Sequence, residues 1–200
     1  MKKRIALLAV LIPLTVCNVF AQGAAQAPAA PASKPSPAAA QTPAQAAAQT
    51  PAKPDPWLPI RFLFGSWEAR TTGGLAQAQA SAGYTFRLEL RDHIVARHTR
   101  SGVCAAPDDF NCQHSDLLYI YPEGSGFKAI YFDNEGHIIH YDLSIPKPGT
   151  AVFLSDAQQP GPQYRLSYEL LDGTMSGKFE LKMPGQAEFM SYLEWSGHLR

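Results

Sequence analysis

From Trp57 onward, apolar and polar residues alternate along most of the chain. Tyr84, Phe86, Leu88 and Leu90 are interleaved with Thr85, Arg87 and Glu89, the period of two expected of a half-buried strand. An initial strand is predicted over 67–72, followed by strands over 84–90, 93–100, 116–121, 127–132 and 137–143. The signal continues at 151–154, 164–170, 175–183 and 189–195. Turn-forming clusters separate these segments, among them Glu123-Gly124-Ser125-Gly126, Asp133-Asn134-Glu135-Gly136 and Pro146-Lys147-Pro148-Gly149. Sustained helical spacing is missing; only 58–64, with Pro59 early, suits a short helical turn closing one end. Evenly spaced hairpins favour a barrel over a Greek-key sandwich, which needs long crossovers. The predicted fold class is all-β, an antiparallel up-and-down barrel of about ten strands with a short N-terminal helical turn.

One hairpin predicts which residues face inward. Asp133-Asn134-Glu135-Gly136 suits a type I turn with Gly136 in a left-handed bulge position. Tyr131 then lies opposite Ile139, and Ala129 opposite Tyr141. One face carries Phe127, Ala129, Tyr131, Ile139, Tyr141 and Leu143; the other carries Lys128, His140 and Asp142 and is expected outside. This face, with its two phenol hydroxyls, becomes a candidate pocket wall; Tyr131, Tyr141, Ala129 and Ile139 on it, joined by Tyr119 from the strand over 116–121, are the candidate ligand-binding residues. A two-residue turn would slip the register by one and invert this assignment.

The residues before the strands are of two other kinds. Lys2, Lys3 and Arg4 precede an apolar run over 5–16, and Val19-Phe20-Ala21 offers the small residues of a cleavage site. Residues 1–21 thus read as a signal peptide and the chain as periplasmic or secreted. The run is shorter than the roughly 20 residues a spanning helix needs, and Pro13 interrupts it. Lipid anchoring at Cys17 is the secondary reading, because Val16 stands where lipoprotein signals carry a small residue. Residues 22–56 are almost wholly Ala, Pro and Gln, and residues 38–44 recur as 46–52. Such a segment cannot bury enough apolar area to offset its ordering entropy and is expected to be a disordered linker. Polyproline-like extension would let it reach roughly 100 Å, enough to tether the domain to the cell envelope.

Residues 57–200 form the remaining domain, large enough for one substantial core. The chain as a whole has no formal charge, yet this domain carries 12 Lys and Arg against 16 Asp and Glu, a net of −4. It lacks a basic run, which argues against nucleic acid as a partner. Cys104 and Cys112 flank a loop-like interval and are expected to form a disulfide in an oxidising compartment, pinning that loop near one barrel mouth. His137 and His140 sit an odd number apart, as do His93 and His98, so each pair divides between two faces and no metal site is expected.

Gly65-Ser66-Trp67 resembles the Gly-x-Trp signature of calycins, the group of lipocalins and fatty-acid-binding proteins. The resemblance implies a barrel whose floor is plugged by Trp67 beneath a basic residue from near the chain's end, for which Arg200 is available. The layout over 57–200 also resembles small bacterial lipocalin-like domains of unknown function. It shares with them a Leu-Phe-Gly-Ser-Trp start, a Tyr-Phe-Asp-Asn-Glu-Gly hairpin and a Tyr-Leu-Glu-Trp ending. Distant similarity to nitrobindin-type barrels would imply haem, with His198 as the axial ligand. The continuation Glu68-Ala69-Arg70-Thr71 departs from their glycine-rich pattern, so no cofactor is expected.

The functional expectation is an exported, non-catalytic barrel binding a small hydrophobic molecule in its interior. An envelope structural or protein-interaction module is the alternative, followed by haem binding or an uncharacterised barrel enzyme. No Gly-x-Ser-x-Gly elbow is present, and Asp108-Asp109 lies in the cysteine loop. Three arrangements separate these readings. A tyrosine-lined pocket favours binding, a filled interior favours a structural role, and a His–carboxylate pair inside the cavity favours an enzyme.

Overall fold

Ten strands close into a barrel in which every neighbouring pair is antiparallel. The computed structural model describes residues 54–157 and 160–200. The expected signal peptide, Cys17 and the linker through residue 53 lie outside the described residues. The strands are β1 (Gly65–Gly73), β2 (Gln79–Glu89), β3 (Ile94–Ala105), β4 (Asp116–Glu123) and β5 (Gly126–Asp133). They continue with β6 (Ile138–Ser144), β7 (Thr150–Ser155), β8 (Gln163–Leu171), β9 (Thr174–Lys182) and β10 (Met190–Leu199). Each pairs with its successor, and β1 pairs with β10 to close the ring. Closure leaves no free sheet edge.

The predicted alternation is visible in β4, where Asp116, Leu118 and Ile120 are buried and the residues between them are half-buried. The β5–β6 hairpin has the register that its turn chemistry predicts: Tyr131 opposite Ile139 and Ala129 opposite Tyr141. Gly136 takes a φ of +92°, and the Asp133 carboxylate accepts from the backbone N–H groups of Glu135 and His137. That bulge preserves the two-residue phase across the turn.

The lower end of the barrel is closed and full. A 3-10 turn, Leu58–Leu63, carries Pro59 as its second residue, where a fixed φ suits a helical start. It inserts Ile60 and Leu63, both wholly buried. Trp67 is 3 % exposed, and its indole N–H donates to the Leu63 carbonyl at 2.8 Å. Trp57 is equally buried; it stacks on Phe127 and donates its indole N–H to the Asp92 carbonyl at 3.0 Å. Phe86, Val95, Ile120, Phe153 and Met175 complete this apolar plug.

Arg200 does not cover Trp67 as the resemblance implied. Its side chain is exposed and lies 3.5 Å from Glu68, which points out of the barrel; only its backbone N–H ties down the floor strand, by donating to the Ser66 carbonyl. The floor is instead closed by two indoles and the 3-10 turn.

Candidate functional site

The upper half of the barrel encloses a cavity of about 360 Å³. Its composition follows from how the inward positions of β3 and β4 change along their length. On β3 the inward series runs Val95, Arg97, Thr99 from floor towards mouth. On β4, which runs the opposite way, Asp116 stands near the mouth and Leu118 and Ile120 lie below it. Arg97 is opposite Leu118 in the register, so Asp116 is its diagonal neighbour on the same face.

Arg97 and Asp116 form a buried ion pair, 5 % and 8 % exposed respectively. The second terminal nitrogen of Arg97 donates to the Tyr168 hydroxyl. Burial works against the Arg97 charge, but Asp116 beside it outweighs burial and holds the guanidinium protonated. Burial likewise penalises ionised Asp116, and Arg97 outweighs it, keeping the carboxyl below its ordinary range. Removing either partner would leave the other charge buried without compensation.

His114 extends the network towards the mouth. Its Nδ1 lies 2.9 Å from Glu135, and its Nε2 lies 3.0 Å from the Tyr131 hydroxyl and 3.5 Å from Asp116. Hydrogen bonding to Asp116, opposed by burial and aided by Glu135, pushes its pKa up to about 9. The imidazole is therefore a cation at neutral pH. Burial, with the nearby Asp116 charge, pushes the Tyr131 phenol well above its ordinary value. Tyr84, Tyr141 and Tyr168 are shifted the same way, in each case chiefly by burial.

Cys104 and Cys112 are in disulfide contact, and the loop between them contributes Phe110 to the cavity mouth. This loop is fastened to the β5–β6 turn. Asn111 donates to Glu135, the Asn134 amide donates to the Gln113 carbonyl, and Ser115 and Asn134 exchange two further bonds.

The remaining wall is aromatic. Tyr164 stacks on Phe179 at 5.7 Å, and Tyr168 meets Trp195 edge-on at 5.8 Å. Trp195 lies flat over Gly177, its cross-strand partner, where an added Cβ would come within 2.1 Å of the indole. Gly177 thus makes the space that the indole occupies.

Of the sequence-predicted residues, Tyr131, Tyr141 and Ile139 line this cavity. Ala129 faces inward but belongs to the packed core below it. Tyr119 is a correction. It alternates with buried Leu118 and Ile120, so it stands on the outer face, where it meets Phe132 edge-on. His198 is exposed, opposite outward-pointing Glu68, and cannot reach into the barrel as an axial ligand. Among the described residues, no group of three or more His, Cys, Asp and Glu side chains is arranged to hold a metal ion.

Sequence reasoning missed Arg97, Asp116 and His114, the polar centre of the site. Charged residues on strands ordinarily mark the outer face, and here two of them face inward because they neutralise each other. The available signal was the phase of β3: once Val95 is placed inside, Arg97 and Thr99 must follow. Comparison with protein-family models finds no match, and comparison with curated proteins finds none either.

Proposed function

We propose that this chain is an exported, non-catalytic barrel that holds a small, mostly apolar molecule in the upper half of its interior. The observation that carries this reading is the aromatic cavity of about 360 Å³ above a fully packed floor. Its volume falls at the lower end of the ~300–1,000 Å³ range of small-molecule pockets. It corresponds to roughly a dozen water volumes, and so to a ligand of about that many non-hydrogen atoms. A purely structural barrel would gain stability by filling this space with side chains, as the lower half does. The closed antiparallel barrel and the Gly-x-Trp at its first strand support distant kinship with calycins. Export is supported by the composition of residues 1–21 and agrees with the Cys104–Cys112 contact. The linker would then tether the barrel to the envelope.

Catalysis is the second reading, because the His114–Asp116 pair lies in the cavity. Its protonation argues against a general base. An efficient acid–base catalyst has a pKa near the working pH. His114 is held charged up to about pH 9 with both ring nitrogens engaged, and Asp116 is held ionised by Arg97. The pair reads as a fixed polar wall.

Native mass spectrometry of the protein purified from the periplasm tests the proposal. A bound mass in the small-metabolite or lipid range is the expected result. A clean apo mass that takes up nothing from an envelope extract would overturn it in favour of an interaction module.

A further inference from the structure

Strands β8, β9 and β10 bring Tyr168, Gly177 and Trp195 into one row across the barrel wall. The indole occupies the middle of that row. A Cβ added at Gly177 would lie 2.1, 2.3 and 2.4 Å from its Cε2, Cζ2 and Nε1 atoms. The ring-fusion carbon is the nearest of the three, which places that position over the ring face and not at its rim. Tyr168 stands at 74° to the indole. One indole face is therefore packed on the β9 backbone, and the opposite face is turned to the bore. The Nε1 corner is buried, yet Trp195 as a whole is only half-buried and borders the cavity. An inward side chain of a closed barrel opens towards the interior.

The rest of the wall divides in the same way. Ile139 and Leu166 border the cavity but are 4 % and 3 % exposed, whereas Tyr131, Tyr164 and Phe179 stay half-buried, beside Leu181 and Leu193. The surface left to a ligand is thus mostly ring. Next to Trp195, β1 and β2 contribute the short side chains of Ala69, Ala80 and Ala82. Among the described residues, the cation–aromatic contacts fall on Phe64 and Phe189, outside this cavity, so no cation occupies the open indole face. A ring laid on such a face gains more than its buried area alone supplies. A fused ring system also has no rotamers to freeze, whereas an alkyl chain of the same size does. Resting on the container reading above, we propose that Trp195 is the stacking platform of the site and that its ligand is a planar aromatic molecule. The cavity of about 360 Å³ has room for about two fused rings.

The test compares 2-naphthol with decahydro-2-naphthol, which share a carbon skeleton and a hydroxyl and are both uncharged at neutral pH; only the first is flat. Isothermal titration of the parent protein should give at least about fivefold tighter binding of 2-naphthol. In Trp195→Leu, checked for folding by its unfolding transition, that preference should fall to about twofold or less. The parent also carries a readout that needs no folded variant. In proton–nitrogen correlation spectra, the ring current of 2-naphthol should move the Trp195 indole N–H signal, and the saturated alcohol should move it far less. The Trp57 and Trp67 signals come from the floor, where both N–H groups are bonded to carbonyls, and should stay in place. Equal or tighter binding of the saturated alcohol, a preference that survives in Trp195→Leu, or an unmoved Trp195 signal with 2-naphthol bound would each overturn the platform and leave the container reading standing. Uptake of neither alcohol would overturn the planar aromatic class, and the container reading would then stand or fall on the bound mass found by native spectrometry.

Discussion

The lower and upper halves of this barrel use the same ten strands, the same alternation and the same aromatic residue types, yet one is solid and the other hollow. Below, the inward positions are apolar and a 3-10 turn fills the bore, with both buried indole N–H groups of Trp57 and Trp67 bonded to backbone carbonyls. Above, inward Arg97 and Asp116 replace aliphatic side chains, and the Arg97 guanidinium is shared between Asp116 and the Tyr168 hydroxyl. Stability is concentrated where the bore is filled by apolar side chains. The comparison shows how a small barrel can keep part of its interior open: the floor supplies the burial that the cavity forgoes.

Breaking the floor should have the largest effect. Trp67→Ala removes a buried indole and its bond to Leu63, and should cost about 3 to 5 kcal/mol in urea unfolding; a loss below about 1 kcal/mol would mean that Trp67 is not part of the plug. In the upper half, Arg97→Met leaves Asp116 ionised and buried, for an expected loss of about 3 kcal/mol. The double substitution Arg97→Met with Asp116→Leu should recover most of that loss, because the pair offsets its own desolvation and adds little beyond it. Failure of the double variant to recover would show that the network contributes net stability. Replacing Cys104 and Cys112 by Ser should destabilise by about 2 kcal/mol, since so small a loop constrains the unfolded chain only modestly. The same variant should accelerate ligand release, because the loop borders the mouth, and stopped-flow displacement of a bound probe measures this.

The smallest effect concerns protonation. The pKa of His114 is raised on folding, so its contribution is fully present below about pH 6.5 and is lost as pH rises through about 9. With 36 % of the side chain exposed, solvent screening reduces the expected contribution to about 1 kcal/mol. Urea midpoints at pH 6 and pH 9.5, compared between the parent and His114→Gln, read it directly. The parent should lose more than the variant. Asp116 acts with the opposite sign, its contribution being present at neutral pH and lost as acid protonates it.

Much of the fold was legible because alternation and turn chemistry are local. The β5–β6 register followed from Gly136 and the Asp133 side chain alone, and every predicted strand lies on an observed one, with ends extended or trimmed by a few residues. The site was only partly legible. Tyr131 and Tyr141 could be placed on one face from a single hairpin, whereas Tyr119 lies on another strand, whose phase that hairpin does not set, and stands outside. Arg97 with Asp116 escaped notice because burial of a charge depends on its partner, and that partner lies on another strand.

The sequence by itself determined an all-β chain of tightly turned hairpins, a Gly-x-Trp at the first strand and a cysteine pair flanking one loop. Each of these rests on steric preference or composition over a few residues, which no distant contact needs to supply. Tertiary structure decided that the ring closes, that its lower half is full and its upper half open, and that Tyr84, Arg97 and Trp195 from three strands meet around Tyr168. Those outcomes depend on strand tilt, stagger and summed side-chain volume around the whole barrel, quantities that are defined only once all ten strands are in place.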